Sequence, residues 1–141
     1  PQIRPVDLSE LVRNVVQLMQ PQAAGRGISL TAVVTEKNLK LVDADQMEQV
    51  LINVVKNALE VCREGQCIEV ISATRYLLIR DNGDPIPDEI TANLFNPFFS
   101  TKPEGQGVGL TLTREILLNH KLPFSLRTEA NGWTEFQILF E

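Results

Sequence analysis

Apolar residues recur every three or four positions in three stretches of the chain, as they do on one face of an α-helix. The first stretch begins at a capping-box pattern formed by Asp7 and Glu10, and Gly25 and Gly27 close it. In the second stretch Asp45 is the expected N-cap, with Glu48 three residues later. The pattern therefore predicts helices over about residues 8–25, 46–62 and 108–119.

Other segments alternate apolar and polar residues or are rich in Val, Ile and Thr, which is typical of strands. The Asn131-Gly132 pair indicates a turn between the last two of them. The predicted strands cover about residues 28–35, 39–42, 67–73, 76–80, 124–128 and 133–140. Helices interleaved in this order with strands predict an α+β fold, a two-layer α/β sandwich with the helices packed on one face of a mixed sheet.

Residues 81–109 follow neither period. This segment holds four prolines and four glycines, and it predicts at most a short helix near residues 88–94. The chain contains no internal repeat and no low-complexity tract. Residues 1–141 are therefore expected to form one domain.

Charge and hydropathy exclude several classes of protein. Lys and Arg total 13 and Asp and Glu total 18 among 141 residues, so the net charge is −5 and the pI is about 4.9. A general nucleic-acid binder needs a basic face, so no nucleic-acid partner is expected. The longest apolar run, residues 76–79, is far shorter than the ~20 residues that span a bilayer, and no signal peptide is visible. Because the first residue is Pro1 rather than Met, we expect a piece of a longer protein.

The two cysteines do not indicate a metal site. Cys62 and Cys67 are accompanied by a single histidine, His120, whereas a structural zinc site needs four Cys or His ligands. A disulfide across the short turn between the cysteines is the alternative to two buried thiols. We expect two buried free thiols, as in other cytosolic domains.

Asn53 and Asn57 stand one turn apart on the polar face of the second predicted helix and point the same way. The simplest interpretation is a solvated helix face. Asparagine is a mediocre helix former, however, and Glu, Lys or Gln fill an exposed face at lower cost. Two stacked amides instead offer neutral oxygen ligands for a hard cation such as Mg²⁺ that carries phosphate.

Three further patterns follow along the chain. The first is Asp81-Asn82-Gly83-Asp84-Pro85, directly after a predicted strand. It indicates either a plain turn or a site in which the Asp81 carboxylate accepts a hydrogen bond from an exocyclic amine. Glycines at the head of a helix, in Gly105-Gln106-Gly107-Val108-Gly109, free the backbone to wrap an anion. This loop is neither a dinucleotide fingerprint nor a P-loop. In residues 98–103, two phenylalanines precede the lone cation Lys102. This segment is either part of a functional loop or a loop whose phenylalanines simply anchor it in the core.

Together and in this order, the four patterns resemble the N, G1, F and G2 boxes of the GHKL ATPase superfamily, which includes gyrase, heat-shock chaperones, histidine kinases and mismatch-repair ATPases. Residues 45–60 are similar to the N box, 81–83 to the start of G1 and 105–110 to G2. Residues 94–103 resemble an F box with the short lid of nitrogen-regulator-type kinases, and 132–136 the strand that closes the adenine site. The resemblance covers essentially the whole chain. It is nearest to the catalytic ATP-binding domain (HATPase_c) of bacterial sensor histidine kinases, which has a Bergerat-type fold.

The resemblance implies that the domain binds ATP with Mg²⁺. Asn57 is the implied Mg²⁺ ligand, Asn53 is implied to support the phosphates, and Asp81 is implied to read the adenine amino group. The other residues that are implied to bind ATP are Gly83 and Ile86 in G1, Lys102 in the F box, Gly105, Gly107, Val108, Gly109 and Leu110 in G2, and Thr134 on the closing strand.

One departure from the family pattern lies in G1. The family has a second glycine where this chain has Asp84-Pro85. Proline removes a backbone N–H and fixes φ, so nucleotide affinity or lid motion is expected to differ.

The implied function is transfer of the γ-phosphoryl group to a histidine on a separate dimerisation and phosphoacceptor domain, in two-component signal transduction. The implied partners are the acceptor helices of the same kinase and a downstream response regulator. The implied location is cytoplasmic, including the cytoplasmic part of a membrane-bound sensor, with no direct membrane contact by this domain. His120 lacks the acidic residue that follows the family's acceptor histidine, and at a helix end it is expected to be structural. No catalytic residue is assigned within this chain.

Three alternatives stay open. A hydrolytic GHKL ATPase and an anti-sigma-type serine kinase resemble this fold but place a carboxylate one turn before the Mg²⁺-binding asparagine, where it acts as a general base. Asn53 occupies that position and cannot act as a base. The third alternative, a non-catalytic nucleotide-binding module, is supported only by Asp84-Pro85.

Overall fold

The computed structural model describes residues 1–35, 37–86 and 107–140. The predicted short helix near 88–94 and the F-box segment 94–103 lie outside the described residues. The elements in chain order are β1 (Arg4–Asp7), α1 (Leu8–Gly25), β2 (Ser29–Val34), β3 (Leu39–Val42), α2 (Ala44–Val61), β4 (Cys67–Ala73), β5 (Tyr76–Asp81), α3 (Gly107–Asn119), β6 (Phe124–Thr128) and β7 (Thr134–Leu139).

The main sheet has five strands in the order β2-β4-β5-β7-β6, and a separate two-stranded sheet joins β1 to β3. β2 and β4 are parallel, whereas β4–β5, β5–β7 and β7–β6 are antiparallel. The sheet is therefore mixed. Together with the helices on one of its faces, it confirms the predicted α+β fold.

Alternate residues of the central strands form one buried face, because successive side chains of a strand point to opposite sides. α1 and α2 lie against this face, and α3 packs beside α2. The core contains residues from the sheet and from all three described helices, among them Val12, Leu51, Val70, Ile79, Leu117 and Phe136. None of the described helices is long and apolar enough to cross a membrane.

The N-cap of α1 is as predicted, whereas that of α2 is not. Asp7 accepts a hydrogen bond from the backbone N–H of Ser9 at 3.1 Å. For α2 the prediction of Asp45 as the cap is wrong, because Asp43 holds that position and its Oδ1 accepts from the Gln46 N–H at 3.0 Å. Strand β3 is paired as far as Val42, so the chain turns into the helix immediately after it.

Two smaller features also differ from expectation. The pattern did not predict β1, which is four residues long and contains a proline, an unfavourable residue for a strand. Both cysteines are free thiols, as expected, but only Cys62 is buried and Cys67 is half-buried. Burial, together with the negative charge of Asp81, raises the pKa of the Cys62 thiol to about 12.

Candidate functional site

Asp81 is the last residue of β5, and its side chain lies on the helix-covered face of the sheet. It is 5% exposed. Its Oδ1 accepts a hydrogen bond from the backbone N–H of Gly83 at 2.9 Å. Burial raises the pKa of this carboxyl to about 6, and the Gly83 N–H offsets part of the rise. A carboxylate is thus held in a largely desolvated place, where it interacts strongly with a donor.

Two threonines lie beside Asp81 on the neighbouring strands β7 and β6. Thr134 on β7 pairs directly with Asp81, and Thr128 on β6 pairs with Thr134. Thr134 is buried, and the two hydroxyl oxygens are 2.7 Å apart. The end of the sheet therefore presents one carboxylate and two hydroxyls on the same face.

The turn after Asp81 is fixed against the C-terminal end of α2. The Asp84 N–H donates to the carbonyl oxygen of Val61 at 3.0 Å, and Gly83 is buried beside that carbonyl. Asp84 also forms an exposed ion pair with Arg63 at 3.2 Å, which contributes little to stability. The end of α2 and the G1 turn thus form one contiguous structure.

Pro85 is accommodated in this turn without leaving a donor unpaired. Proline has no N–H, and the next residue, Ile86, donates its N–H to Thr128 Oγ1 at 2.8 Å. Because Gly83 and Asp84 also use their N–H groups, each backbone donor from 83 to 86 has an acceptor. Asp84-Pro85 is therefore compatible with the turn, and half-buried Ile86 is held next to the two threonines.

Asn53 and Asn57 lie on the part of α2 that leads to this turn. Both side chains are half-buried, unlike the exposed Gln49 and Lys56. Gln49 Nε2 donates to Asn53 Oδ1 at 3.1 Å. Asn57 precedes Val61 by about one helical turn, so it lies at the same end of the molecule as Asp81.

The glycine-rich segment forms the start of α3. The helix begins at Gly107, one residue before the predicted start, so Gly107, Val108 and Gly109 form its first turn. The N–H groups of a first turn have no acceptor within their own helix and attract anions. Leu110 is buried but does not belong to the main core cluster. Lys102 and Gly105 lie outside the described residues.

The acidic side chains of the described residues do not form a metal centre by themselves. Over residues 1–35, 37–86 and 110–140, no three His, Cys, Asp or Glu side chains are grouped so that they could hold a metal ion.

A comparison with known families identifies the family of the chain. The sequence profile for histidine kinase-, DNA gyrase B- and HSP90-like ATPases matches residues 42–141. The chain belongs to this ATPase family. The resemblance inferred from the four sequence patterns is thereby confirmed.

Similar proteins are sensor kinases. The chain is 32% identical over 148 residues to the C4-dicarboxylate transport sensor protein DctS of Rhodobacter capsulatus, an alignment that covers 98% of this chain and 22% of DctS. It is 29% identical to sporulation kinase A of Bacillus subtilis, over 96% of this chain and 23% of that protein. The chain thus spans less than a quarter of the length of these two relatives.

Solved structures agree with the fold. The nucleotide-free catalytic domain of the histidine kinase ThkA is 29% identical and gives a TM-score of 0.86, covering 99% of this chain and 96% of that one. The likeness to this catalytic domain therefore includes the part of the chain before residue 42, which the family profile does not match.

Sequence analysis did not identify Thr128 or the Val61 carbonyl as parts of the site. Thr128 could have been found, because it and Thr134 flank the predicted Asn131-Gly132 turn and a hairpin register places them opposite each other. The Val61 carbonyl could not, because any residue supplies a backbone carbonyl and only the packing of the G1 turn selects this one.

Proposed function

We propose that this chain binds ATP with Mg²⁺ and supplies the γ-phosphoryl group to a histidine on a separate dimerisation and phosphoacceptor domain. The observation that carries the proposal is Asp81, a buried carboxylate held by the Gly83 N–H and aligned with Thr134. A desolvated acceptor of this kind is costly to maintain unless a ligand pairs with it.

Adenine fits the acceptor. Its exocyclic amine would donate to Asp81, whereas guanine presents a carbonyl oxygen at the corresponding position and would be repelled. Thr134, whose hydroxyl is positioned by Thr128, would lie near the base. Ile86 would supply an apolar contact to the ring.

The phosphates and Mg²⁺ fit the helix ends. Asn57 would be the protein ligand of Mg²⁺, which accepts oxygen ligands and usually keeps several from phosphate and water. Because Asn53 Oδ1 is taken by Gln49, its amide N–H groups are left to support phosphate oxygens. The first turn of α3, Gly107–Gly109, would receive the phosphate chain together with Gly105 and Lys102.

The chemistry favours transfer to a partner over hydrolysis. When bound, the nucleotide supplies a phosphoryl group that moves from the β–γ bridging oxygen to an imidazole nitrogen of the acceptor. Residue 53 is an amide and cannot remove a proton from water or from a serine hydroxyl, as the ATPase and serine-kinase alternatives need. Phosphoryl transfer depends mostly on positioning, so the bound nucleotide should be nearly inert until the acceptor arrives.

One structure of a related kinase supports a response-regulator partner, and another supports nucleotide binding. ThkA has been solved in complex with the response regulator protein TrrA, and full-length ShkA in complex with AMPPNP. For this chain we propose the acceptor helices of the same kinase and a response regulator as partners, in the cytoplasm.

Labelling with γ-labelled ATP tests the function. The domain alone should neither label itself nor release phosphate quickly, and adding the acceptor helices of its own kinase should give label that is acid-labile and base-stable. Asn57→Ala should lower both this labelling and the Mg²⁺ dependence of ATP binding. Acid-stable label, or fast phosphate release by the domain alone, would favour the serine-kinase or ATPase alternative.

A further inference from the structure

His120 joins the end of α3 to the start of α2. Its Nε2 accepts a hydrogen bond from the backbone N–H of Asp43 at 3.0 Å, and its Nδ1 lies 2.8 Å from the carbonyl oxygen of Ile116. Because a carbonyl only accepts, Nδ1 carries the ring proton and Nε2 offers its lone pair. Asp43 is the N-cap of α2, so one imidazole holds the two helix ends together.

Gln46 stands where a second acceptor for the same N–H is expected. It is the third residue after the N-cap, and from this position a Gln or Glu side chain accepts the N-cap N–H in a capping box. Half of the box is present, since Asp43 Oδ1 accepts from the Gln46 N–H at 3.0 Å. The other half is open: Gln46 Oε1 is buried, and it has no hydrogen-bond partner in the part of the chain that the structure describes.

The junction therefore holds one donor, the Asp43 N–H, and two acceptors that suit it. We propose that His120 and Gln46 are alternative acceptors for this N–H, so that the end of α3 can leave the start of α2 without leaving the N-cap N–H unpaired. In the arrangement described, α3 is docked and His120 holds the N–H. When α3 moves away, Gln46 closes the capping box of α2.

The swap of acceptors has a consequence because of where His120 and Asp43 meet, at the end of α3 and the start of α2. α3 runs from the glycine-rich turn at Gly107 to the junction, and α2 runs from the junction to the end that carries Asn57. Releasing His120 changes how the far end of α3 lies against α2, while the cap of α2 stays satisfied. The swap of acceptors between His120 and Gln46 involves no nucleotide, so its test is independent of the proposed function.

Amide hydrogen exchange at Asp43, measured by NMR, tests the proposal directly. The amide should be protected in the unaltered protein and in His120→Leu, where Gln46 takes over the N–H. In the double variant with His120→Leu and Gln46→Leu, both acceptors are gone and the protection of Asp43 should be lost. Free exchange in His120→Leu alone, or retained protection in the double variant, would overturn the proposal.

Urea unfolding of the same variants gives a second measurement. The double variant should raise the unfolding equilibrium constant by about 5- to 30-fold more than the product of the two single effects, because only the double variant leaves the half-buried Asp43 N–H without a protein acceptor. Gln137→Leu, the same chemical change on β7, is the control and should combine with His120→Leu multiplicatively within about twofold. Multiplicative behaviour of the His120 and Gln46 pair would contradict the proposal. If the double variant does not fold, Asp43 exchange in His120→Leu decides the question alone.

Discussion

A Cβ atom at Gly83 would lie 2.5 Å from the carbonyl oxygen of Val61 and 2.8 Å from its carbonyl carbon. Gly83→Ala would therefore push the G1 turn away from the end of α2 and disturb the hydrogen bond to Asp81. We expect a loss of about 1–3 kcal/mol in the free energy of unfolding and at least roughly tenfold weaker ADP binding. Denaturation and calorimetry measure the two effects.

Gly25→Ala is the matched control for that substitution. Gly25 lies in α1, and an added Cβ would meet nothing within 4 Å. Alanine should therefore leave ADP affinity unchanged and raise stability by about 0.5–1 kcal/mol. Unchanged ADP affinity in Gly83→Ala would show that the turn does not position the nucleotide.

Asp81→Asn should stabilise the fold while it weakens nucleotide binding. The pKa of Asp81 is raised to about 6 by burial, so between roughly pH 4 and pH 6 the folded protein keeps a proton that the unfolded chain releases. The contribution of this group to stability therefore falls as the pH rises through that window, and its charge costs on the order of 3 kcal/mol above it.

Urea unfolding between pH 4 and pH 8 measures this effect. Asp81→Asn should exceed the unaltered protein in stability at pH 8, and the difference should shrink toward zero near pH 4. Asp84→Asn, which changes an exposed carboxylate in the same turn, is the control and should shift stability by less than about 1 kcal/mol. Stability curves of Asp81→Asn and unaltered protein that run parallel over this range would contradict the raised pKa.

Arg26 stabilises the C-terminal end of α2 from outside that helix. Its guanidinium donates to the carbonyl oxygens of Leu59 and Cys62, and the last turn of α2 contains no basic residue of its own. Arg26→Ala should lower the free energy of unfolding by about 1–2 kcal/mol, because it removes a cation and two donors from the negative end of the helix. Arg63→Ala, which removes only an exposed ion pair with Asp84 at the same end, should cost less than about 1 kcal/mol. Equal losses in the two variants would contradict this role of Arg26.

Thr113 on α3 offers a stabilising substitution. The residue is fully buried, and its hydroxyl has no hydrogen-bond partner among the described residues. Thr113→Val keeps the side-chain shape and removes the unpaired hydroxyl, so stability should rise by about 1 kcal/mol. Thr134→Val, which removes a hydroxyl bonded to Thr128, should lower it. A lower thermal midpoint for Thr113→Val than for the unaltered protein would show that the Thr113 hydroxyl has a stabilising partner.

The sequence predicted most of the fold because its signals are local. Apolar spacing located α1, α2 and α3, and β-branched runs located the strands of the main sheet. The predicted N-cap of α2 was wrong because Asp43 with Gln46 and Asp45 with Glu48 are equally good local capping patterns. The pairing of β3 with the unpredicted β1 decides between them, and that pairing is not local.

The candidate site likewise has residues that the sequence could predict and contacts that it could not. Asp81 and Gly83 could be identified because one short motif holds both, directly after a strand. Contacts between distant segments could not, such as Asp84 with Val61 or His120 with Asp43, because they depend on how helices and turns pack.

Calorimetric titration of the unaltered protein with Mg²⁺–ATP and with Mg²⁺–GTP tests the central claim, that Asp81 reads the base of a bound ATP. We predict that ATP binds at least about tenfold more tightly than GTP, and that Asp81→Asn loses a similar factor for ATP, as expected when a charged hydrogen bond is removed from a buried site. Equal affinities for ATP and GTP, or an Asp81→Asn variant that binds ATP as well as the unaltered protein, would contradict the account.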